Sequence, residues 1–199
     1  MCAAPKLTVE DFAHRAKLER MNPRRNPLKE ALSASTHMKT TPPQLGIFCD
    51  IPMGKLREDD VVSLAQAGFT FIVADGEHSL QESRIGREQA AIFLRNGITP
   101  VQRLHREARS EHGDSLTLGV RGTMMPYATS VAQVRDYLQC IRYPDEAKGV
   151  MATSSSRGAY PIKKGDGTMI MDLEELRSVE GSATQGWVQF ETEESIEFI

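Results

Sequence analysis

Short apolar runs that alternate with amphipathic stretches organise the chain from residue 45 onward. Continuous apolar runs of about four to eight residues are typical of buried strands, and six are predicted, at 45–50, 69–78, 99–104, 122–126, 149–155 and 187–191. Helical periodicity predicts helices at 57–68, 81–95 and 131–143, and another helix that begins at Glu193. Strands of this kind alternating with helices indicate a parallel sheet covered by helices.

The spacing of these elements favours a barrel over an open sheet. A (β/α)₈ barrel of roughly 250 residues uses about 31 residues for each βα unit. Residues 45–199 therefore correspond to five units and a sixth strand. An open doubly wound sheet alternates in the same way, but the sequence lacks the GxGxxG and Walker glycine loops. We predict an α/β fold of the (β/α)₈ TIM-barrel type, truncated after the sixth strand.

The first 44 residues do not show this alternation of apolar runs and amphipathic stretches, which predicts an N-terminal helical extension outside the main domain. An amphipathic helix is predicted at 8–21 and a second short helix at 28–33. Prolines separate the two helices, and a polar linker follows them. The predicted organisation is an extension and linker at 1–44, followed by a partial TIM-barrel domain at 45–199.

Composition and charge exclude several classes of partner. The 199 residues carry 24 basic and 27 acidic side chains, a net charge of −3, which gives no reason to expect nucleic acid or a membrane surface as a partner. No apolar run reaches the length of a secretory signal or of a membrane helix. The three cysteines form no CxxC or Cys/His metal pattern. These features predict a cytoplasmic protein.

Candidate chemistry lies at the carboxyl ends of three predicted strands, where parallel barrels place their reactive residues. Glu77 and His78 end the second strand, Arg103 lies at the end of the third, and Gln189 and Glu191 end the sixth. A carboxylate for a hard divalent cation, an arginine for developing negative charge and a histidine for proton transfer suit metal-assisted enolate chemistry. Taken singly, each could instead be a solvated or ion-pairing surface residue.

Two structural alternatives stay open from the residues alone. Side chains alternate along a strand, so either Gln189 and Glu191 or Phe190 between them points inward. The other histidines have no ligand partner at metal spacing and are predicted to be surface or packing residues, namely His14, His37, His105 and His112.

Five segments together resemble the HpcH/HpaI aldolase family. They are GFTFIVADGEH at 68–78, TPVQRL at 99–104, the stretch from Gly119 to Pro144, SSSRGAY at 154–160 and VQFETEESIE at 188–197. The similarity covers roughly residues 45–199. The combination of DxEH, a strand-end arginine and Gln-x-Glu-Thr is far more specific than any of these motifs alone.

The resemblance implies a role for each candidate residue. Glu191 would be one of two carboxylates that hold a divalent metal, Mg²⁺ by preference, with Mn²⁺ or Co²⁺ as alternatives. Arg103 would bind a keto acid and stabilise its enolate oxygen, and Gln189 would line the same site. His78 would take part in proton transfer through water, and Glu77 would order metal-bound water.

The resemblance also implies an activity, with alternatives. The expected reaction is the reversible cleavage of a 4-hydroxy-2-keto acid to pyruvate and an aldehyde. The N-terminal extension resembles that of macrophomate synthase-like relatives, which decarboxylate oxaloacetate and add the enolate to an acceptor in secondary metabolism. The family's second metal carboxylate is expected beyond residue 199, so a non-catalytic member is a third alternative. A homo-oligomer is compatible with each of them.

Overall fold

A computed structural model describes Leu28 and residues 44–79, 84–142, 162–163, 169–170 and 184–197. The strands in chain order are Leu45–Cys49 (β1), Phe69–Asp75 (β2), Thr99–Arg103 (β3), Gly122–Met125 (β4), Ile162–Lys163 (β5), Met169–Ile170 (β6) and Gln185–Val188 (β7). The helices are Glu58–Gln66 (α1), Arg87–Arg95 (α2), Arg109–Thr117 (α3), Val131–Ile141 (α4) and Glu193–Ile196 (α5), with a short 3₁₀ helix at Met53–Lys55.

The main sheet is parallel, with the strand order β1-β2-β3-β4-β7. Helices α1, α2 and α3 connect its first four strands, so successive strands are neighbours in the sheet. The described residues form an open sheet, and β5 and β6 make a separate antiparallel pair. The predicted parallel sheet with helical connections is confirmed, and it is the arrangement expected of part of a TIM barrel.

β7 occupies a different place in the sheet from the one predicted for it. β7 pairs directly with β4, from Gly122 opposite Gln185 to Met125 opposite Val188. The strand predicted as the sixth is therefore the fifth of this sheet, and the fifth predicted strand, at 149–155, lies outside the described residues. The observed strand is Gln185–Val188 rather than 187–191. It begins earlier because Gln185 and Gly186 pair with β4, although neither residue belongs to an apolar run.

The helices differ from prediction in two places. Helix α3 was not predicted, since its sequence RSEHGDSLT has no apolar periodicity. Helix α2 begins at Arg87 rather than at residue 81, and just before it the backbone N–H of Ile85 donates to the buried side chain of Gln102. Of the two helices predicted in the extension, only Leu28 lies within the described residues, and it is helical there.

The two faces of the sheet have separate apolar cores. On the outer face, Ile72 and Ala74 of β2 pack in one cluster with residues of α1 and α2, including Phe93. The inner face carries Val73 of β2, which packs with Val101, Met124 and Leu28. Leu28 is 1% exposed, so this residue of the N-terminal region covers the face on which a barrel places its interior.

Glycines end three of the helices, as predicted for α1 and α2. Gly68, Gly97 and Gly119 have φ angles of 96°, 77° and 104°, in the left-handed region that glycine adopts without strain. Each turn returns the chain to the amino end of the next strand. Among the described residues, none of the helices combines the length and apolar character needed to cross a membrane.

Candidate functional site

Arg103 lies at the centre of the carboxyl edge of the sheet and is held by Asp75 of the neighbouring strand. The two residues are opposite each other in the β2–β3 register. Arg103 donates from Nε to Asp75 Oδ1 at 2.8 Å and from Nη2 to Asp75 Oδ2 at 2.5 Å. Both side chains are less than one-tenth exposed. This two-point geometry fixes the plane of the guanidinium.

The other end of the guanidinium faces two of the predicted site residues. Nη1 of Arg103 lies 3.1 Å from Glu77 Oε2 and donates to Gln189 Oε1 at 3.3 Å. The Phe48 ring packs against the guanidinium, with its centroid 4.9 Å from Cζ. Residues on or just after four strands, β1, β2, β3 and β7, thus meet at this site.

Acidic neighbours raise the pKa of Arg103 above its usual value. Burial alone would lower it, but the hydrogen bonds and charge of Asp75 outweigh burial, and the charges of Glu77 and Glu191 add to them. The guanidinium is therefore a permanent cation in a largely dry setting. Such a group can stabilise negative charge that develops on a substrate oxygen.

The turn after β2 is organised by the carboxylate of Asp75. Burial by itself would raise the pKa of this carboxyl, but hydrogen bonds from Arg103 and from the backbone N–H groups of Glu77 and His78 lower it overall. The two backbone donors lie 3.0 and 3.4 Å from Oδ1. A single ionised carboxylate thereby positions both the arginine and the two residues that follow it.

Gly76 allows β2 and β3 to approach closely at this turn. Its N–H donates to the carbonyl of Arg103 at 2.8 Å, and a Cβ at this position would lie 2.8 Å from the same oxygen. The buried amide of Gln102 completes the frame, since its Nε2 donates to the carbonyl oxygens of Ala74 and Arg103. The glycine of the DGEH sequence is therefore required by packing.

His78 lies at the outer rim of the site. Its side chain is 72% exposed, and its Nε2 lies 3.6 Å from Glu77 Oε2. The glutamate is only 14% exposed and contacts Arg103 as well. Glu77 therefore links the imidazole, which is open to solvent, to the buried arginine.

Glu191 accepts a hydrogen bond from the backbone just after β4. The backbone N–H of Tyr127 donates to Glu191 Oε2 at 2.9 Å, and Tyr127 has a φ of 54°, which is uncommon for a residue other than glycine. Gln189 reaches Arg103 while Phe190 is 41% exposed, so the glutamine occupies the site and the phenylalanine does not. The exposed carboxylate of Glu191 stays accessible from solvent.

The carboxylates at this edge differ in whether they are available to a divalent cation. Mg²⁺ is commonly bound through one or two protein carboxylates, with water and substrate oxygens completing the shell. Glu191 fits the role of one such carboxylate, while Asp75 and Glu77 are engaged with Arg103. Within the described ranges, no group of three or more His, Cys, Asp or Glu side chains is arranged to hold a metal.

Sequence reasoning placed Glu77, Arg103 and Gln189 in one site, and the structure brings these three together. It missed the central role of Asp75, although the position of this acid at the end of an apolar strand, opposite Arg103, was a usable signal. It also missed Phe48 and the Tyr127 backbone, for which the sequence gives no signal.

The sequence itself matches no family model and no curated protein. Solved structures do match. An HpcH/HpaI aldolase from Desulfitobacterium hafniense DCB-2 has a TM-score of 0.61 at 17% identity over 77% of this chain, and macrophomate synthase has 0.59 at 16% over 85%. The citrate synthase SbnG has 0.54 at 20% over 76%.

The chain spans about half the length of these structures, between 53% and 55% of each. At this level of identity the likeness concerns the fold. The three proteins carry names of different reactions, so the shared architecture does not select one of them. The resemblance to HpcH/HpaI aldolases and macrophomate synthase, expected from the sequence motifs, is confirmed in the fold of the described residues.

Proposed function

We propose that this chain carries a site for making or breaking a carbon–carbon bond through the enolate of a 2-keto acid. The observation that carries the proposal is the buried Arg103, fixed by Asp75 and turned toward Glu77 and Gln189 at the carboxyl edge of a parallel sheet. The structural likeness to aldolases and to macrophomate synthase supports it. The proposed substrate is a 4-hydroxy-2-keto acid, cleaved reversibly to pyruvate and an aldehyde.

Arg103 binds the keto acid in this proposal. A guanidinium has five N–H groups, of which three donate to Asp75 and Gln189. The contact to Gln189 is the longest of the three, and a substrate oxygen replaces it at Nη1. Gln189 then lines the keto-acid site. Because the arginine is already oriented and partly dehydrated, little reorganisation is needed when charge develops on the enolate oxygen.

His78 moves the proton in the cleavage direction. It accepts the proton of the C4 hydroxyl through a water molecule, and the C3–C4 bonding pair becomes the enolate while the C4 carbonyl forms in the leaving aldehyde. Protonation at C3 then yields pyruvate. The exposure of His78 suits exchange of this proton with solvent, and Glu77 beside it orients the imidazole and ordered water.

Glu191 is the proposed metal ligand. When bound there, a divalent cation such as Mg²⁺, Mn²⁺ or Co²⁺ would polarise the keto group of the substrate. The hydrogen bond from the Tyr127 backbone holds one carboxylate oxygen of Glu191 in place and leaves the other for this task. Keto-acid oxygens and water would supply the remaining ligands of such a cation.

A second candidate is a synthase reaction that starts from oxaloacetate. Macrophomate synthase matches a larger share of this chain than the other structures described above, 85%. In this version loss of carbon dioxide generates the same enolate at Arg103, and the enolate carbon adds to an acceptor other than an aldehyde. The two candidates use the same residues and differ in their donor and acceptor.

The experiment supplies the purified full chain with Mg²⁺, Mn²⁺ or Co²⁺ and compares two donors. Pyruvate release from a 4-hydroxy-2-keto acid, followed with lactate dehydrogenase and NADH, reports the aldolase reaction. Consumption of oxaloacetate with and without an acceptor reports the synthase reaction. Activity with oxaloacetate alone among the donors would replace the first candidate by the second.

Site variants test the residues. Arg103→Lys is expected to reduce turnover by about 100-fold or more, since an oriented donor to a developing oxyanion contributes roughly 10²–10³. His78→Gln is expected to reduce turnover by roughly 10²–10⁴-fold. Glu191→Gln is expected to abolish the dependence of turnover on added metal. The matched controls, which alter the same residue types away from the site, are Arg95→Lys, His105→Gln and Glu194→Gln.

A non-catalytic chain would give a different set of results. It would turn over neither donor with any of the three metals, and Mg²⁺ would change the free energy of unfolding of neither the wild type nor Glu191→Gln. That outcome would refute both candidates.

A further inference from the structure

Gln102 is a buried carboxamide on the face of the sheet opposite the candidate site. It lies next to Arg103 in β3 and is 1% exposed. Val101 belongs to the inner cluster, and side chains alternate along a strand, so Gln102 projects from the outer face. The sheet therefore separates this amide from a keto acid bound at the Arg103 guanidinium. Any effect that Gln102 has on such a substrate acts through other residues.

The carboxamide of Gln102 makes three hydrogen bonds to the main chain at three different places. Its Nε2 donates to the carbonyl oxygens of Ala74 at 3.0 Å and of Arg103 at 3.2 Å. Its Oε1 accepts from the backbone N–H of Ile85 at 2.8 Å. Ala74 lies near the end of β2, and Ile85 lies just before α2. One side chain thus links the carboxyl ends of β2 and β3 to the start of the following helix.

The turn that carries Glu77 and His78 lies directly against this amide. Gly76 opens the turn, and a Cβ on this glycine would lie 3.0 Å from Gln102 Nε2. On the inner side, the carboxylate of Asp75 accepts from the backbone N–H groups of Glu77 and His78. The turn is therefore held from both faces of the sheet, by a carboxylate on one face and by a carboxamide on the other.

The backbone groups around Gln102 can be satisfied together by a carboxamide. Two of them are carbonyl acceptors and one is an N–H donor. A carboxylate offers no N–H, and an apolar side chain offers neither a donor nor an acceptor. Glutamine is mostly exposed in proteins, and unpaired buried polar groups destabilise the folded state. The hydrogen bonds, rather than burial, account for a glutamine at this position.

We propose that Gln102 is a positioning residue, which fixes the Glu77–His78 turn relative to Arg103. Its effect on turnover rests on the function proposed above. Without the amide, Asp75 still holds the Arg103 guanidinium, so binding of the keto acid is retained. Proton transfer by His78 suffers instead, because a displacement of about 1 Å in a reacting group can reduce the rate by about 100-fold.

Hydrogen exchange tests the contacts without any reference to turnover. In the wild-type chain the two Nε2 protons of Gln102 are expected to exchange far more slowly than those of Gln66, which is exposed at the end of α1. Gln102→Met keeps a long, flexible side chain and removes all three hydrogen bonds. The amides of Glu77, His78 and Ile85 should then exchange about tenfold faster, as expected for the loss of a hydrogen bond. Amides of α4 report global unfolding and should keep their wild-type rates.

Steady-state kinetics with the 4-hydroxy-2-keto acid separate positioning from a general loss of stability. Gln102→Met is expected to lower kcat by about 10- to 100-fold, with KM close to that of the wild type because Arg103 keeps Asp75. In the His78→Gln background the same substitution should lower kcat by no more than about twofold, since residues that act in one step are not additive. Ile141→Val is the control, because it alters a buried residue of the α4 core, away from the turn. It should leave kcat and KM unchanged.

Several results would overturn the proposal. Nε2 protons of Gln102 that exchange as fast as those of Gln66 in the wild type would show that the amide is not held, whether or not Gln102→Met folds. An equal fall in kcat in the wild-type and His78→Gln backgrounds would mean that Gln102 does not act through the turn. A wild-type chain without turnover would refute the keto-acid reaction alone. Exchange then decides the role of Gln102, and unchanged protection of the turn amides in Gln102→Met would overturn it.

Discussion

Replacing Asp75 by asparagine tests whether one carboxylate fixes the architecture of the candidate site. The substitution keeps the size of the side chain and an oxygen for the backbone N–H groups of Glu77 and His78, but it removes the charge opposite Arg103. Both side chains of the pair are less than one-tenth exposed. The change therefore leaves a buried arginine without its main counter-charge.

The expected loss of stability follows from the contacts that remain. Removing one partner of a buried ion pair commonly costs about 3–5 kcal/mol. Here Nη1 of Arg103 keeps Glu77 at 3.1 Å and Gln189 at 3.3 Å. We therefore expect a decrease of roughly 2–3 kcal/mol in the free energy of unfolding, at or below the lower end of that range.

The assay is urea unfolding of the full chain, in which a lower midpoint at constant m-value reports a change in stability. Glu58→Gln is the matched control, because it breaks a bidentate pair with Arg95 in which both side chains are nearly half exposed. Its effect should be much smaller, since solvent screens that pair. Equal midpoints for Asp75→Asn and the wild type would refute the inference that Asp75 carries this site.

The pH dependence supplies a second readout of the same pair. The pKa of Asp75 is lowered in the folded state, so its contribution is fully present above its unfolded pKa of about 3.8 and is lost as the pH falls through the folded value. The wild type should therefore lose stability in this acid range more steeply than Asp75→Asn. Parallel curves for the two proteins below pH 4 would contradict the assignment.

Two further predictions concern buried residues outside the ion pair. Burial lowers the pKa of His112 to about 4 in the folded state, so the unfolded chain binds a proton at a higher pH than the folded chain does. The free energy of unfolding should therefore decrease by roughly 3 kcal/mol as the pH falls from 6.5 to 4. Urea midpoints across this range should show this decrease in the wild type and not in His112→Phe. Leu28→Ala should lower the free energy of unfolding by about 2–5 kcal/mol, since Leu28 is 1% exposed against Val73, Val101 and Met124. A change below about 0.5 kcal/mol in the midpoint-derived value, the size usual for surface substitutions, would show that Leu28 is not a core residue.

The sheet was predictable from the sequence where burial alone determines the pattern. β2 is apolar on both faces, because α1 and α2 cover one side and the cluster that contains Leu28, Val101 and Met124 covers the other. Helix α3 was not predictable in this way, since its sequence has no apolar stripe and its buried residue His112 packs on Tyr137 of α4. β7 was placed two residues too late because its first residues are held by pairing with β4 and have no apolar signature.

In the candidate site, the contact between two strand ends was predictable from the sequence, and the contact made by a loop backbone was not. Asp75 and Arg103 are opposite each other in register, so two consecutive parallel strands that end in an acid and an arginine already predict an ion pair. Glu191 depends on a contact of another kind, since its partner is a backbone N–H of Tyr127, 64 residues earlier in the chain. Any residue except proline at position 127 offers that backbone N–H, provided that the backbone there adopts a positive φ. The residue type therefore says little about the contact, and a substitution of Tyr127 should affect Glu191 only insofar as it changes that backbone conformation.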